Sequence, residues 1–257
     1  MRRSKAYADS IVLKRYHLGI IRRSSLGLFH GASCFEAYAG SCREPHLVHN
    51  VHTSPEDRID AQRFDMKCLR QRDSAEPLRV IYSGRMAEAK APLDWVRAVG
   101  HARDLGATLN ARWLGDGDLY HPTQQLVKDL GLEAVVDLAG YVSDRSVVLN
   151  ALRDADVMAF CHITPESPRC LLEALISGTP LVGYSGAYAQ DLVSGHGGGS
   201  LVPVRDWRAL GVLLYELSHQ RDRLTGLARG AYESGEEFSD EAVFAHRSGL
   251  VRRFAGQ

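Results

Sequence analysis

From Leu78 onward, the chain alternates between two hydrophobic patterns. Short runs rich in β-branched and aromatic residues are followed by longer stretches in which apolar residues recur every three to four positions. The runs that predict strands are 78–84, 107–115, 134–140, 156–161, 180–184 and 200–204. The stretches that predict helices are 93–105, 119–130, 143–153 and 169–177, with several more helices after Asp206. Such strand–helix units form right-handed crossovers, so we expect an α/β fold with a doubly wound parallel sheet.

Residues 1–77 show a weaker pattern. Residues 26–31 and 48–52 predict strands, residues 35–38 predict a short helix, and the polar segment 57–75 predicts a connector. These elements are too few for a second doubly wound domain. We therefore expect two parts, an incomplete α/β part over 1–77 and a complete domain over 78–257 that includes the C-terminal helices.

Composition and charge argue against several classes of protein. The chain has 257 residues with 31 acidic and 31 basic side chains, so no overall basic field favours a nucleic acid as partner. No apolar run reaches the ~18 residues that are needed to span a bilayer. The five cysteines are scattered and form no C-x-x-C pair, which indicates a cytoplasmic protein without a disulfide framework or structural zinc.

The first thirty residues carry seven lysines and arginines against one aspartate. A solvated basic segment is one interpretation of this excess of positive charge. Peripheral contact with acidic lipid headgroups, at the inner face of the membrane, is the other.

The segment 164–184 predicts a helix that begins at a proline. We expect Ser167 to be its N-cap and Pro168 its first residue, because proline lacks only an N–H group that is unpaired there. Gly178 ends the helix. Its N-terminus attracts anions, and Arg169 in the first turn adds a positive charge.

Two carboxylates flank this helix start. Glu166 lies just before the helix, and Glu173 lies inside it among leucines and alanines. A charge at the second position needs a partner, which is either a ligand or an arginine of the same protein.

Glycines follow three of the predicted strands, at Gly84, Gly115 and Gly140. The carboxyl ends of parallel strands share one rim of the sheet, and ligands of such sheets bind there. Arg85 and Lys90 follow the first of these strands, a spacing that suits a diphosphate clamp. A loop with ordinary surface charges is the alternative.

Six segments, taken in order, resemble the donor-binding domain of family 4 glycosyltransferases, which have the two-domain GT-B fold. They are GRMAEAK (84–90), WLGDGDLY (113–120), VVDLAGYVSD (135–144), DADVMAF (154–160), TPESPRCLLEALISGTPLVGY (164–184) and GGSLVPVRD (198–206). The resemblance covers about 78–206 at the family's mutual spacing. It implies a Rossmann-like domain there, and makes 1–77 a remnant of the N-terminal acceptor domain with the hinge.

The resemblance also implies roles for individual residues. Arg85 and Lys90 would hold the diphosphate of a nucleotide sugar, and Glu166 would contact hydroxyls of the transferred sugar, which makes these three the catalytic residues. Glu173 would bind the ribose. The other donor-binding residues lie at strand ends, in the loop by the nucleobase and at the helix start: Gly84, Gly115, Gly140, Tyr141, Val142, Ser167, Arg169 and Cys170.

The implied activity is retaining transfer of a sugar from a UDP- or GDP-linked donor to a glycan or lipid-linked acceptor, in polysaccharide biosynthesis. No metal or cofactor is expected, because two cations and a helix N-terminus neutralise the leaving diphosphate. The alternative is a non-catalytic nucleotide-sugar-binding module, or a truncated remnant or subunit of such an enzyme. In that case we expect self-association or a partner that supplies the missing domain.

Two local departures accompany the resemblance. Six residues separate Glu166 from Glu173 where the family commonly has seven, and Ala91 stands where a glycine often follows the lysine.

Two other motifs have weaker support. His46, His49 and His52 recur at every third residue, but an extended chain does not present all three on one face, which disfavours zinc. Residues 183–187 and 196–199 half-resemble the nucleophile elbow and oxyanion loop of a serine hydrolase, in the wrong order along the chain.

Overall fold

The computed structural model describes residues 2–49, 53–195 and 197–254, with only the backbone for residues 2–11. The helices in chain order are α1 (Arg2–Ile21), α2 (Ala32–Tyr38), α3 (Ala61–Arg72), α4 (Pro92–Asp104), α5 (Tyr120–Asp129), α6 (Arg145–Asp154), α7 (Arg169–Ile176), α8 (Ala187–Ser194), α9 (Trp207–His219), α10 (Arg221–Ser234) and α11 (Asp240–Phe254). The strands are β1 (Gly27–His30), β2 (Pro45–Val48), β3 (Leu78–Ser83), β4 (Leu109–Leu114), β5 (Val136–Gly140), β6 (Val157–Phe160), β7 (Leu181–Tyr184) and β8 (Gly199–Val202). The helices and strands together form two compact units. The first unit comprises residues 1–50 and 241–257, and the second comprises residues 51–240.

The first unit contains the strands β1 and β2, which pair in parallel. Its core joins Val48 of β2 to Leu250 and Phe254 of α11, so the last helix belongs to the same unit as the first residues. The strand predicted at 26–31 and the helix predicted at 35–38 are confirmed. The second strand lies at 45–48 instead of 48–52, and residues 50–52 lie outside the described residues. Within the described parts of the chain, no helix combines the length and the apolar character needed to cross a bilayer.

The second unit is built on a six-stranded sheet with the order β5-β4-β3-β6-β7-β8, in which every neighbouring pair is parallel. The chain enters at β3, moves outward through β4 to β5, and then returns to the other side of β3 as β6. This confirms the predicted doubly wound α/β sheet. The change of direction places a crevice between the carboxyl ends of β3 and β6, which is the usual ligand position in such sheets.

Aromatic residues fill the core directly below that crevice. The rings of Tyr82 and Trp113 have centroids 4.1 Å apart, and Trp113 meets Trp95 edge to face at 5.3 Å. Both buried indole N–H groups are satisfied, Trp95 by the carbonyl of Ala159 at 3.1 Å and Trp113 by the carbonyl of Gly84 at 2.8 Å. Through these hydrogen bonds the buried tryptophans also anchor the carboxyl ends of the central strands β3 and β6 to the core.

Helix α3 overturns the prediction of a connector at 57–75. Asp60 caps its N-terminus by accepting a hydrogen bond from the Arg63 backbone N–H at 2.8 Å, and Phe64 stacks on Tyr232 of α10 at 4.3 Å. Only a narrow stripe of α3, including Phe64 and Cys68, faces this core, so the sequence of the helix is mostly polar. Because α3 packs on α10, the second unit begins near residue 51, earlier than the predicted boundary at 78.

Both ends of the second unit meet through hydrogen bonds. The Thr53 N–H donates to the Asp240 carboxylate at 3.0 Å, and the Asp240 N–H donates to the Thr53 carbonyl at 2.9 Å. The Thr53 hydroxyl also donates to the carbonyl of Phe238 at 2.7 Å.

Candidate functional site

The loops that follow β3, β4 and β5 are hydrogen-bonded to one another. Gly84 N–H donates to the Leu114 carbonyl at 2.9 Å, and Gly115 N–H donates to the Gly140 carbonyl at 2.7 Å. A side chain at Gly115 does not fit, because its Cβ would lie 2.1 Å from the carbonyl oxygen of Gly84 and its φ is +143°. The glycines predicted at the strand ends therefore lie together along one rim.

Residues 85–91 form a turn that is held by the next loop. Met86 N–H donates to the Asp116 carbonyl at 2.8 Å, and the Met86 carbonyl accepts from Leu119 N–H at 3.0 Å. Arg85 is exposed beside this contact, whereas Lys90 is half-buried. Ala91 closes the turn with φ +44° and ψ 58°, a left-handed conformation that favours glycine.

The turn also reaches across the crevice to the loop after β6. Ile163 N–H donates to the Ala89 carbonyl at 3.0 Å, and Lys90 Nζ forms an ion pair with Glu166 Oε2. The hydroxyl of Thr164 donates to Glu166 Oε1 at 2.6 Å. The two groups predicted to contact the diphosphate and the sugar are therefore direct neighbours.

The charge state of Glu166 follows from these contacts. Partial burial works against ionisation, but the hydrogen bonds from Lys90 and Thr164 and the charge of Lys90 outweigh it, so the pKa of Glu166 is lowered. Glu166 is a carboxylate at neutral pH, and it accepts hydrogen bonds without donating any.

Two residues that the sequence did not single out lie next to the crevice, the half-buried His162 and the fully buried Tyr82 below it. His162 Nε2 and the Tyr82 hydroxyl are 2.7 Å apart. Burial and the charge of Lys90 lower the pKa of His162 to about 3, so its imidazole is neutral at physiological pH. Burial raises the pKa of the neighbouring Cys170 thiol to about 12, which leaves it protonated. Burial also raises the pKa of Tyr82, so His162, Tyr82 and Cys170 are all neutral groups that donate or accept hydrogen bonds.

Helix α7 begins one residue later than predicted. Pro168 is the N-cap, with an extended backbone and no side-chain hydrogen bond, so the assignment of Ser167 as N-cap is wrong. Proline cannot bond to the helix through its ring, and the first N–H groups of α7 are left without a side-chain cap. Arg169 is exposed at this end, and Gly178, with φ +60°, ends the helix as predicted.

Glu173 has an arginine partner in the same unit. Arg145 Nη1 donates to Glu173 Oε1 at 3.1 Å, and Arg145 Nη2 donates to Asp57 Oδ2 at 2.9 Å. The side chain of Glu173 retains 22% of its exposure. Of the two partners that the sequence left open for Glu173, the structure contains the arginine, and the ribose stays a prediction.

The loop predicted to lie beside a nucleobase follows β5. Gly140 has φ +69°, Tyr141 is 72% exposed and Val142 is half-buried. This loop joins the rim through the Gly115–Gly140 hydrogen bond and leads directly into Arg145 at the start of α6.

Two further observations concern metal ligands and the cavities of the second unit. No group of three or more His, Cys, Asp or Glu side chains suited to a metal occurs among the residues that the structure describes, and His52 and His196 lie outside them. A separate cavity of about 640 Å³ lies on the sheet between α5 and α6. Charged side chains of both signs line it, of which Arg112 and Asp137 pair with each other at 2.9 Å, and its lining includes none of the predicted rim residues.

Comparison with known proteins gives a match over most of the second unit. The model of the family described as "Glycosyl transferases group 1" matches residues 70–234. The chain is 27% identical over 202 residues to the putative colanic acid biosynthesis glycosyltransferase WcaL of Escherichia coli K12, covering 76% of this chain and 49% of that protein. It is 24% identical over 205 residues to the amylovoran biosynthesis glycosyltransferase AmsK of Erwinia amylovora, covering 77% of this chain and 49% of that protein. The chain thus spans about half the length of these curated relatives.

Solved structures share the fold. The structure of Anabaena Alr3699/HepE in complex with UDP superposes with a TM-score of 0.77 at 18% identity, covering 95% of this chain and 67% of that one. The pneumococcal O-GlcNAc transferase GtfA in complex with UDP and GlcNAc gives a TM-score of 0.69 at 17% identity, covering 94% of this chain and 47% of that one. At these identities the likeness concerns the fold alone, and both structures have the same doubly wound architecture.

Proposed function

Because this chain belongs to the group 1 glycosyl transferases, we propose that its second unit binds a nucleoside diphosphate sugar at the rim of the sheet and provides the donor side of glycosyl transfer. The names of the curated relatives support a role in polysaccharide biosynthesis, and the UDP in similar structures favours a UDP-linked donor over a GDP-linked one. We extend the proposal to family 4, to the GT-B arrangement, to a cytoplasmic location, and to a glycan or lipid-linked acceptor.

The observation that carries the proposal is the ion pair between Lys90 and Glu166 at the topological switch point. In a nucleotide sugar the transferred sugar is bonded directly to the second phosphate. A site for this part of the donor therefore needs a cation for the phosphate and, next to it, a group that accepts hydrogen bonds from the sugar hydroxyls. Lys90 donates hydrogen bonds, as a phosphate requires, and the ionised Glu166 accepts them, as sugar hydroxyls require. Donor binding then places the diphosphate against Lys90 and the sugar against Glu166.

In this proposal the leaving group is stabilised by charge. Negative charge grows on the diphosphate as the bond to the anomeric carbon breaks. Arg85, Lys90 and the N–H groups at the start of α7, which have no side-chain cap, are the donors that we assign to that position. Three such groups provide this stabilisation without a metal ion, and we propose transfer with retention at the anomeric carbon. The exposed Tyr141 provides a surface on which the base stacks.

Binding without transfer is the alternative, because the chain spans about half the length of its curated relatives. The two functions can be distinguished by whether the bound nucleotide sugar is consumed. A transferase releases UDP from UDP-sugar in the presence of an acceptor extract, whereas a binding module retains the donor unchanged.

The test is thermal unfolding of the purified chain with UDP, GDP and ADP and their common sugar conjugates. A ligand at ~100 times its dissociation constant adds about 2.7 kcal/mol to the free energy of unfolding, which a melting curve resolves. We expect one nucleotide family to stabilise the wild type and to have no effect on Arg85→Ala or Lys90→Ala. Lys128→Ala, which removes an exposed lysine at the far end of α5, is the control and should respond like the wild type. A cooperative melt that no nucleotide shifts would refute the proposal.

A further inference from the structure

Arg145 joins two carboxylates that come from distant parts of the chain. Its two terminal nitrogens donate to Glu173 Oε1 at 3.1 Å and to Asp57 Oδ2 at 2.9 Å. It is the first residue of α6, directly after the loop 140–144 that we assign to the nucleobase. Hydrogen bonds from both terminal nitrogens restrict the orientation of the exposed guanidinium, and the contact with Oε1 favours one position of the Glu173 carboxylate.

Asp57 is itself fixed by the backbone around it. Its carboxylate accepts from Ser54 N–H at 2.9 Å in a capping box, and its carbonyl accepts from Arg153 Nη2 at 2.7 Å. Two residues later, Ile59 N–H donates to the carbonyl of Ile176 at the end of α7. The contacts therefore run from a rigid backbone turn through Asp57 and Arg145 to Glu173.

The charges leave Glu173 able to accept further hydrogen bonds. One guanidinium faces two carboxylates, so the trio has a net negative charge. The contact with Arg145 uses Oε1, while an ionised carboxylate has two oxygens and about four lone-pair sites. Arg145 only donates, as ribose hydroxyls also do when they meet a carboxylate, so both can bind Glu173 together.

We propose that Arg145 is a positioning residue that orients Glu173 toward the ribose hydroxyls of the donor, with Asp57 holding Arg145 in place. This inference rests on the proposed donor site. It assigns ribose recognition to three residues, of which Arg145 and Asp57 do not touch the nucleotide.

The test compares binding of UDP with that of 2′-deoxy-UDP and 3′-deoxy-UDP by calorimetry, with the GDP series instead if the thermal screen selects guanine. Wild type should bind at least one deoxy form about tenfold more weakly than UDP, since a hydrogen bond to a charged group is lost. In Arg145→Ala we expect UDP to bind about tenfold more weakly and the preference for ribose to disappear. Arg145→Lys should recover part of that preference, and Asp57→Asn should reduce it.

The matched control is Arg112→Ala, which also removes an arginine from an exposed ion pair with an aspartate but lies away from the rim. It should keep both the affinity and the ribose preference. A merely structural role of Arg145 would weaken UDP and its deoxy forms equally, and an unchanged ribose preference in Arg145→Ala would overturn the inference. Tighter UDP binding in Arg145→Ala would also overturn it, because Arg145 would then compete with ribose. Absence of binding of any nucleotide to the wild type would refute the donor site itself, which is a distinguishable result.

Discussion

We predict that the buried Lys67 of α3 makes the stability of the protein depend on pH. Its side chain is 4% exposed, with Nζ donating to the Thr179 hydroxyl at 2.5 Å and to the Ser177 carbonyl at 3.3 Å. Burial lowers the pKa of Lys67 from 10.5 to about 7, although the charge of Asp156 opposes the change. The difference between these pKa values corresponds to about 5 kcal/mol at 1.36 kcal/mol per pH unit.

The sign of the effect follows from proton binding. Between pH 7 and 10.5 the unfolded chain keeps a proton on this lysine that the folded chain has lost, so the free energy of unfolding rises with pH. From pH 7.0 to 8.5 the expected rise is about 1.5–2 kcal/mol. Below pH 7 both states carry the proton, and this contribution becomes flat.

Lys67→Met removes the titrating group and keeps a long apolar side chain. The Thr179 hydroxyl still donates to the Leu152 carbonyl at 2.6 Å, and Asp156 still pairs with Arg70 at 2.9 Å, so few buried groups lose their partners. We expect the variant to be more stable than wild type at pH 7 by a few kcal/mol, about the range seen when buried charges are replaced by apolar groups.

Urea unfolding at intervals from pH 7.0 to 8.5, under reducing conditions, measures both effects. The control Lys128→Met changes an exposed lysine and should retain the slope of the wild type. If Lys67→Met shows the same rise of stability with pH as the wild type, another group titrates and Lys67 is not the source of the pH dependence.

Two further predictions concern the loops of the rim, both measured by urea unfolding. Ala91→Gly should stabilise the protein by about 0.5–1 kcal/mol, because relief of the left-handed backbone exceeds the added entropy of the unfolded chain, whereas Ala89→Gly should destabilise it. Gly115→Ala should cost at least about 2 kcal/mol and abolish nucleotide stabilisation, because the new Cβ meets the carbonyl oxygen of Gly84. Gly131→Ala, whose Cβ meets nothing within 4 Å at φ +59°, should cost only about 1 kcal/mol. Equal losses in the two glycine variants would argue against a close approach at the rim.

The sheet was predictable because its inner strands are apolar on both faces. All four residues of β6 and of β7 are buried, so each appears in the sequence as a short continuous apolar run between turns. The parallel arrangement then brought the loops after successive strands to one rim. The expectation that Lys90 and Glu166, which are 76 positions apart, share a site came from the family resemblance, and it agrees with that topology.

Contacts between elements without a local pattern were not predictable. Arg145 lies 28 positions from Glu173 and 88 from Asp57, and nothing in its neighbourhood distinguishes it from other surface arginines. Tyr82 fits a strand, and its hydrogen bond to His162 depends on how β3 and β6 pair. Helix α3 was missed because one narrow apolar stripe is enough to pack it against α10. In each case the contact depends on tertiary packing between elements and has no local sequence pattern.

The hydrogen bonds between Thr53 and Asp240 bring the two ends of the second unit together in space. Because its two ends are within hydrogen-bond distance, the chain enters and leaves this unit at one point. A segment with adjacent ends can be excised, closed by a short linker and reopened at an exposed loop, as in circular permutation. Exchanging residues 53–240 between relatives takes two crossovers in the gene, but both crossovers fall at this one place in the fold, so the second unit can be transferred as a whole.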